Sequence, residues 1–503
     1  MRRITTKKRK TTIFPTKLTQ LETRLKKRFT NNHDLSYTIY QLENKRIAVF
    51  YITYLIDTNK LEASLLQPLL EKKETLSLTS ASLLNHIPLS SGKIENQIDH
   101  IFRGMLLGDV FIYIEDEAEA ISYPLKKDEK RDLSKPETES VVLGPQIAFT
   151  ESLATNMNLT RKAILSNDLV LEKIMIGKRF PKEVRIAYIS SIANQEDINT
   201  LRQRLKDLEV DSVEDSSVLI QLIEDHSLSI FPQFYETELP DRFTYSICKG
   251  RIGVLVDNSP TGIVAPTSLF SFFESTEDLY MRWNIGSFFR MLRFLAMLIS
   301  VFLTPFYVAV VTYHYEIIPT PLLISLGQSR ANVPFPPIFE AILLELLIEL
   351  LREAGARLPT KVGQTMGIVG GVVVGTAAVQ AGLTSNILII FVTLSALASF
   401  TVPSYLMGTT IRILRFPMIL LAGLLGIIGI MLGACFIIIH LLKLTSLGRP
   451  YLTPIYPFNW QDLNKTFFRL PHHMDSKRFI SSRLKDLYRF NKEKVKKKKD
   501  IDE

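Results

Sequence analysis

The feature that most constrains this chain is a run of fifty residues, 362–411, that contains no Asp, Glu, Lys, Arg or His. Soluble domains seldom leave so long a segment uncharged, whereas about 20 apolar residues suffice to span the hydrocarbon core of a bilayer. Two more uncharged runs, 294–313 and 416–439, lie on either side of it. The sequence therefore predicts a polytopic membrane protein whose apolar part is confined to the second half of the chain.

The first 280 residues show a different pattern, in which apolar β-branched runs alternate with amphipathic segments. Such runs are typical of buried strands, and leucines at helical spacing are typical of helices that cover a sheet. Strands are predicted at 46–55, 110–115, 120–123, 183–189, 251–256 and 263–265, and helices at 59–71, 94–107, 153–176 and 194–208. No apolar segment of signal-peptide type follows the basic start, so these residues are expected in the cytoplasm.

The predicted fold class is an α/β cytoplasmic region of two tandem lobes followed by an all-α polytopic membrane domain. A charged stretch broken by Pro136 is typical of a linker between the lobes. The predicted units are a basic N-terminal tail (1–33), a first lobe (34–125), a linker (126–140), a second lobe (141–280), a transmembrane domain (281–445) and a basic cytoplasmic tail (446–503).

The net charge of +9 is concentrated at the two ends of the chain. Residues 1–32 carry eleven Lys and Arg against one acid, and residues 443–503 carry fifteen against seven. Basic tails beside a membrane domain favour an anionic membrane surface as partner over nucleic acid. Solvated tails without any partner are the alternative.

Four membrane spans are predicted, at about 291–313, 363–383, 387–408 and 416–442. The segment 336–357 is predicted to be an amphipathic or re-entrant helix, because glutamates are costly in lipid. Four of its charges share one face: Glu345, Glu349, Arg352 and Glu353. These charges either pair locally on a water-facing surface, as Glu349 with Arg352 and Glu353 with Arg357, or line an aqueous path. With four spans, both tails lie inside, but Arg412 and Arg415 lie outside, against the positive-inside trend. With a fifth span through this segment, the two arginines lie inside and the C-terminal tail lies outside.

The glycine-rich segment that begins near Gly363 is the candidate pore. Small residues at a spacing of four allow close helix packing in lipid, which on spacing alone indicates a tightly packed helix pair. The alternative is a helix around a water path, with Val372 as an apolar constriction. On that hypothesis the face towards the pore comprises Gln364, Gly367, Ile368, Gly371, Val372, Gly375, Thr376 and Val379.

Motifs for catalysis are missing from the sequence. There is no phosphate-binding P-loop, no HExxH, no CxxC and no GxSxG elbow. The one histidine pair, His472-His473, is a poor metal site because adjacent side chains point apart. No catalytic residue, metal or cofactor is therefore predicted, and a membrane-bound enzyme is the least favoured function.

Several segments together resemble the A subunits of spore-germination receptors, the GerA family of endospore-forming bacteria. The longest is PFPPIFEAILLELLIELLREAGARLPTKVGQTMGIVGGVVVGTAAVQAGLTS (334–385), and others are FPQFYETELPD (231–241), GRIGVLVDNSP (250–260), SFFRMLR (287–293) and SLGRPYLTPIYPF (446–458). One departure is Asn258, where the family usually has Gly. Because Asn tolerates the left-handed conformation, that turn is expected to survive.

The resemblance implies a multi-pass protein of the spore inner membrane with a cytoplasmic N-terminal region. It also implies three kinds of partner: a transporter-like B subunit that binds the nutrient, a lipoprotein C subunit, and further copies of the chain in a homo-oligomer, a pentamer, around a cation-conducting pore. Nutrient-gated ion flow is then the expected function. A paralogue that assists ion or dipicolinate release without its own nutrient is the alternative within the family.

Overall fold

The computed structural model describes residues 14–42, 45–70, 79–89, 91–127, 134–137, 139, 141–358, 371, 373, 375–471 and 473–491. These residues form two α/β lobes, a helical half, and a C-terminal segment that returns to the second lobe.

Lobe 1 is a five-stranded sheet with helices on both faces. Its strands lie in the order β1-β2-β4-β5-β3, and all neighbouring pairs are antiparallel. The strands are β1 (Leu35–Leu42), β2 (Lys45–Ile52), β3 (Lys93–Glu95), β4 (Asp109–Ile114) and β5 (Ala120–Pro124). The helices are α1 (Leu18–Arg28), α2 (Thr58–Leu61), α3 (Gln67–Leu70), α4 (Ser80–His86) and α5 (Ile98–Leu106), with a π-helical turn joining α2 to α3. Helices α1 and α5 cover one face, and α2 to α4 cover the other.

Lobe 2 repeats this connectivity. Its strand order, β6-β7-β9-β10-β8, is that of lobe 1 displaced by five strands, and its pairs are again antiparallel. The strands are β6 (Leu169–Ile176), β7 (Lys182–Ile189), β8 (Tyr235–Thr237), β9 (Ile252–Val256) and β10 (Gly262–Ala265). The helices are α6 (Leu153–Ala163), α7 (Gln195–Lys206), α8 (Ser216–Ile223), α9 (Pro240–Cys248) and the short α10 (Glu277–Tyr280). Helices α7 and α8 cover one face of the sheet, and α6 and α9 cover the other.

The structure confirms the predicted α/β class and several details of lobe 2. Asn194 caps α7 by accepting a hydrogen bond from the backbone of Glu196. Asn258 has a φ of 56°, so it adopts the left-handed conformation expected of it in the turn between β9 and β10. Both strands of that hairpin are buried, which explains their continuous apolar sequence.

Two predicted helices of the lobes were partly wrong. The helix predicted over 153–176 ends at Ala163, and Leu169–Ile176 forms β6, which pairs with β7 along its whole length. The first three residues of LVLEKIMI are buried and burial alternates only over the last four, and pairing with a neighbour overrides the local helical spacing. The helix predicted over 94–107 starts only at Ile98, because residues 93–95 form the edge strand β3.

The predicted N-terminal tail was also too long. Helix α1 lies within the segment assigned to the tail, yet Leu18, Leu21 and Leu25 on its inner face are buried in the core of lobe 1. Phe14 and Phe29 at its two ends are buried there too. The basic residues of α1 occupy the outer face of an amphipathic helix, so lobe 1 begins before residue 18.

The helical half contains seven described helices. They are α11 (Trp283–Tyr313), α12 (Thr320–Arg330), α13 (Pro337–Arg357), α14 (Gly375–Gln380), α15 (Asn386–Ser399), α16 (Tyr405–Leu425) and α17 (Ile427–Lys443). Helix α13 lies beside α11 and α16, as shown by the contacts Thr304–Glu345 and Arg415–Glu345. It therefore packs against other described helices, and its assignment as an amphipathic or re-entrant element stays a prediction.

The last two predicted spans have different boundaries in the structure. The span predicted at 387–408 ends at Ser399, and the one predicted at 416–442 is divided at Gly426, whose φ of 63° breaks the helix. Gly433 packs against Met418, so α16 and α17 form an antiparallel pair that turns at Gly426. The turn could not be predicted from the sequence, because Gly426 lies within a uniformly apolar run and no charged residue marks the end of the helix.

Two described helices, α11 and α16, are long and apolar enough to cross a membrane, and α15 and α17 are shorter apolar helices. Large apolar side chains are exposed along these helices. They include Leu295, Leu298, Ile390, Leu397, Leu424, Ile428, Met431 and Phe436. A continuous apolar exterior of this kind is unfavourable in water and fits a lipid environment.

The predicted C-terminal tail is folded against lobe 2 over most of its length. It contains the strands β11 (Thr445–Ser446) and β12 (Arg449–Pro450) and the helix α18 (Trp460–Phe467). Tyr451 is fully buried and donates a hydrogen bond to the carbonyl of Pro232 at 2.7 Å. Leu484 packs in the same core. These apolar contacts outweigh the solvation of the basic residues, so residues 446–491 are part of the folded region.

The burial of α1 gives a testable prediction about the lobes. A fragment of residues 14–280 is expected to be soluble and to unfold cooperatively without detergent, whereas a fragment of residues 34–280 is expected to aggregate. Loss of α1 exposes one apolar face of the lobe 1 sheet, and removal of even one buried leucine costs about 2–5 kcal/mol. Calorimetry and size-exclusion chromatography of both fragments check this, and equal behaviour of the two would contradict it.

Candidate functional site

The structure describes half of the predicted pore face. Gln364, Gly367, Ile368 and Val372 lie outside the described residues. Gly371 is exposed, and among the described residues no atom outside its own stretch of helix lies within 4 Å of the position that a Cβ would take at Gly371 or Gly375.

Beyond the glycines, Thr376 is exposed and donates to the carbonyl of Val373 at 3.2 Å, while Val379 is half-buried. The four described residues of this face are therefore exposed or half-buried in the single chain. The assignment of these residues to a pore stays a prediction.

The strongest polar feature of the helical half is a buried ion pair between α13 and α16. Arg415 Nη1 lies 2.5 Å from Glu345 Oε2, and the two side chains are only 3% and 4% exposed. Arg415 also donates to the carbonyl of Ser300 at 2.8 Å and to that of Ser395 at 3.1 Å, and Thr304 donates to Glu345 at 3.1 Å. Four helices thus converge on one charge pair, which is a costly arrangement unless every polar atom has a partner.

A second charged group lies one helical turn further along α13. Glu349 is 3.3 Å from both Arg352 on its own helix and Arg412 on α16. Arg352 stacks over the ring of Phe400, with the guanidinium carbon 4.4 Å from the ring centre. The cation therefore has a carboxylate on one side and an aromatic face on the other, a combination that stabilises a partly desolvated arginine.

A third group lies at the start of α13. Glu340 is fully buried, lies 2.9 Å from Arg330 of α12, and accepts a hydrogen bond from the backbone of Ser385. Glu340 lies in the first turn of α13, where an acid complements the helix dipole. In the structure it joins α12 and α13 to the start of α15.

These three groups form a ladder along α13, here called the ion-pair ladder: Arg330–Glu340, Glu345–Arg415 and Glu349 with Arg352 and Arg412. The predicted local pairs are present, since Glu349–Arg352 forms and the exposed pair Glu353–Arg357 has a separation of 2.5 Å. The expected water-facing surface was wrong for Glu345.

A sequence signal for the cross-helix pairs existed. Glu345 and Glu349 are four residues apart, Arg412 and Arg415 are three apart, and each pair shares one helix face. Arg412 and Arg415, which oppose the positive-inside trend, form ion pairs with Glu349 and Glu345 and are thereby neutralised.

A separate cluster joins lobe 2 to the first residues of α11, and the sequence analysis did not anticipate it. The fully buried carboxylate of Asp278, on α10, lies 2.5 Å from Arg293 and 3.3 Å from Arg290. Arg469 of the C-terminal segment donates to the carbonyl of Leu279 at 2.8 Å. Three separate stretches of chain meet at this cluster, here called the junction cluster.

Glu274 adds a further carboxylate beside the junction cluster. It lies 3.0 Å from Lys249 and 3.7 Å from Arg290. Burial alone would raise the pKa of Glu274, but Lys249, Arg290 and Arg251 together lower it from 4.5 to about 2. Glu274 is thus ionised whenever the protein is folded at ordinary pH.

This low pKa predicts a pH dependence of stability. Because the folded-state pKa lies below the ordinary value, ionised Glu274 stabilises the fold above about pH 4.5, and this contribution, about 3 kcal/mol, is lost as the pH falls from about 4.5 to about 2. Thermal unfolding of the full chain across this range should show a slope that Glu274→Gln removes. Glu209→Gln is the control, since that side chain is 77% exposed. An unchanged slope in Glu274→Gln would contradict the assignment.

Metal or thiol chemistry receives no support from the described part of the chain. Within it, no group of three or more His, Cys, Asp or Glu side chains could hold a metal ion. Cys248 and Cys435 are both free thiols. Of the histidine pair, His472 lies outside the described residues.

The sequence profile of the family described as Bacillus/Clostridium GerA spore germination protein matches residues 23–480. The chain is 46% identical over 457 residues to spore germination protein GerQA of Bacillus cereus, which covers 91% of each chain. It is 42% identical over 448 residues to spore germination protein GerIA of the same organism, which covers 88% of this chain and 67% of that one.

Among solved structures, the crystal structure of the N-terminal domain of the A subunit of the Bacillus megaterium spore germinant receptor GerK3 aligns with 51% of this chain and 98% of its own, at 26% identity and a TM-score of 0.41. The profile match covers the lobes, the ion-pair ladder and the junction cluster. By the extent of that match, the chain belongs to the GerA family of spore germination proteins.

Proposed function

We propose that this chain is the A subunit of a nutrient germinant receptor and that it forms the oligomeric, nutrient-gated cation channel that starts spore germination. The observation that carries the receptor role is the similarity to spore germination proteins over nine-tenths of the chain. The sequence and the described residues supply no competing chemistry, since neither a catalytic motif nor a metal cluster is found in them.

The proposed location is the inner membrane of the spore, with a multi-pass helical half and cytoplasmic lobes. The exposed apolar side chains of α11, α15, α16 and α17 support a lipid environment for the helical half. The continuous contact between lobe 2 and the start of α11, through Asp278 and Arg293, supports lobes that lie directly at the membrane surface.

The proposed channel is a ring of several copies, a pentamer, in which the face from Gln364 to Val379 surrounds the ion path. The lack of described atoms from other elements beside Gly371 and Gly375 supports this, because a face packed against the described helices would have such neighbours. The ion-pair ladder would keep the surrounding helices in a fixed arrangement.

The proposed partners are a transporter-like B subunit that binds the nutrient and a lipoprotein C subunit. Nutrient binding on the B subunit would open the channel only if the B subunit contacts the open and closed states differently. The ligand site would then lie on another chain, in agreement with the lack of a nutrient-binding motif in this sequence.

Reconstitution tests the channel directly. Purified full-length chain in liposomes should pass monovalent cations, and Val372→Ala should increase the current in the closed state, because a wider apolar constriction wets more easily. Spores that carry Val372→Ala should germinate without nutrient or fail to retain ions.

Val392→Ala is the matched control, because Val392 is fully buried in α15. Loss of that side chain should only lower the amount of receptor, through a cavity that costs about 1 kcal/mol. Normal dormancy with reduced receptor in the Val372→Ala spores would defeat the pore assignment. Conductance without any nutrient response when all partners are present would favour the non-receptor paralogue.

A further inference from the structure

A cavity of about 420 Å³ lies between lobe 2 and the C-terminal segment. Lobe 2 contributes the start of β9 and the loop after β10, and the C-terminal segment contributes residues 449–457 and 479–483. Its volume is within the range of small-molecule sites, about 300–1,000 Å³. The cavity exists only when the two parts of the chain are docked together.

Positive charge dominates the lining of this cavity. Four cationic side chains, Lys249, Arg251, Arg449 and Arg483, face a single carboxylate, that of Glu274. Hydroxyl groups add further donors at Ser268, Ser271, Ser481 and Ser482. The lining is therefore rich in groups that donate hydrogen bonds and poor in groups that repel anions.

Two of the four cations are already paired with acids. Lys249 lies 3.0 Å from Glu274, and Arg449 lies 2.8 Å from Asp197. Arg251 donates to Ser271 Oγ at 2.7 Å, and among the described residues no carboxylate lies within ion-pair distance of Arg251 or Arg483.

Burial lowers the pKa of Arg251, and the nearby carboxylate of Glu274 offsets this effect only in part. A guanidinium presents several N–H groups in a planar fork that matches carboxylate and phosphate oxygens. Arg251 and Arg483 are therefore two cations at one cavity that make no direct ion pair among the described residues.

Apart from three threonines, the rest of the lining is apolar. The apolar residues are Pro266, Phe270, Pro450, Pro454, Pro457, Phe479 and Ile480. The rigid rings of these prolines and aromatic residues can pack against a compact or flat apolar ligand, and the arginines can bind anionic groups on the same ligand.

We propose that this cavity binds a small anion whose carboxylate or phosphate groups are held by Arg251 and Arg483 and whose apolar body lies against the proline and aromatic wall. Such an anion contacts lobe 2 through Arg251 and the C-terminal segment through Arg483. Binding therefore strengthens the docking of the C-terminal segment on lobe 2. This inference does not depend on the channel.

The test uses the purified full-length chain in detergent and three soluble probes. Inorganic phosphate and isophthalate supply the two anionic groups, and dihexanoyl phosphatidylglycerol represents a lipid headgroup. Isophthalamide and dihexanoyl phosphatidylcholine are the controls without net negative charge. Calorimetry measures binding, and limited proteolysis measures the protection of the C-terminal segment.

At least one anionic probe should bind and should protect the C-terminal segment, and its matched control should do neither. Arg251→Gln and Arg483→Gln should each weaken binding by about tenfold or more, since each removes a charge-assisted contact. Arg179→Gln should leave binding unchanged, because Arg179 is 75% exposed and its ion pair with Asp211 lies elsewhere on lobe 2. Binding of phosphatidylglycerol alone would assign the anion to a lipid headgroup, and binding of phosphate or isophthalate would assign it to a soluble molecule.

Arg483 is exposed, so Arg483→Gln remains informative even if Arg251→Gln fails to fold. The proposal is overturned if none of the anionic probes binds, or if binding is the same in Arg483→Gln as in the unmodified chain.

Discussion

Replacement of Arg415 by Met is expected to destabilise the full-length chain by about 3–5 kcal/mol and to remove most of it from the membrane fraction. The substitution leaves Glu345 buried without its cation, and Ser300 and Ser395 lose the guanidinium that satisfies their carbonyls. An uncompensated buried carboxylate costs far more than the contact energy of the pair itself. Detergent-phase thermal unfolding and immunoblots of membrane fractions measure the two effects.

The double variant Glu345→Met with Arg415→Met separates charge from packing. Two apolar side chains of similar length leave no buried charge, so we expect the double variant to recover most of the lost stability. Arg357→Gln is the surface control: its pair with Glu353 is exposed and is worth about 0.5 kcal/mol. A double variant as unstable as Arg415→Met would show that the charges themselves are needed.

Asp278→Asn is expected to have the second largest effect, about 3 kcal/mol of lost stability. Asn keeps the size of the side chain but removes the negative charge that Arg290 and Arg293 share. Two buried arginines then repel each other where α11 leaves lobe 2, so the joint between the lobe and the helix should loosen. Hydrogen exchange of residues 274–293 in the full-length chain should rise while exchange in the sheet of lobe 1 stays constant.

The matched control is Asp486→Asn, because Asp486 pairs with Arg478 at the surface and is 50% exposed. It should change stability by about 0.5 kcal/mol or less. If Asp278→Asn changes stability and hydrogen exchange no more than Asp486→Asn does, the junction cluster does not stabilise this joint. If exchange rises throughout the molecule, Asp278 supports the fold as a whole and not this joint.

The architecture of the lobes could be predicted because burial leaves a strong local signature. Strand segments covered on both faces, such as residues 47–52 and the strand Ile252–Val256, appear in the sequence as unbroken apolar runs. The helix of Gln195–Lys206 was visible through its Asn194 cap and its acidic first turn. Each of these signals lies within about a dozen residues of sequence.

Features that depend on distant partners could not be predicted in the same way. Strand Leu169–Ile176 takes its conformation from pairing with Lys182–Ile189, and the local spacing of its apolar residues also fits a helix. The C-terminal segment appeared to be a basic tail because the burial of Tyr451 and Leu484 depends on lobe 2, more than 200 residues earlier.

The ion-pair ladder shows the same limit. The local pair Glu353–Arg357 was visible at a spacing of four residues. The pair Glu345–Arg415 bridges 70 residues, and only the packing of α13 against α16 brings it together. The charges could be placed on one helix face from sequence, whereas their burial and partners could not.

The return of the C-terminal segment to lobe 2 has a consequence for how the chain is threaded through a bilayer. Arg293, at the start of the helical half, and Tyr451, just after its end, both contact lobe 2. A single folded lobe cannot lie on both sides of a membrane. If the helical half spans the bilayer, the chain must therefore cross it an even number of times between these two residues. For the proposed membrane topology we therefore expect four passes and not five, with the positive charges near residue 485 on the same side as the lobes.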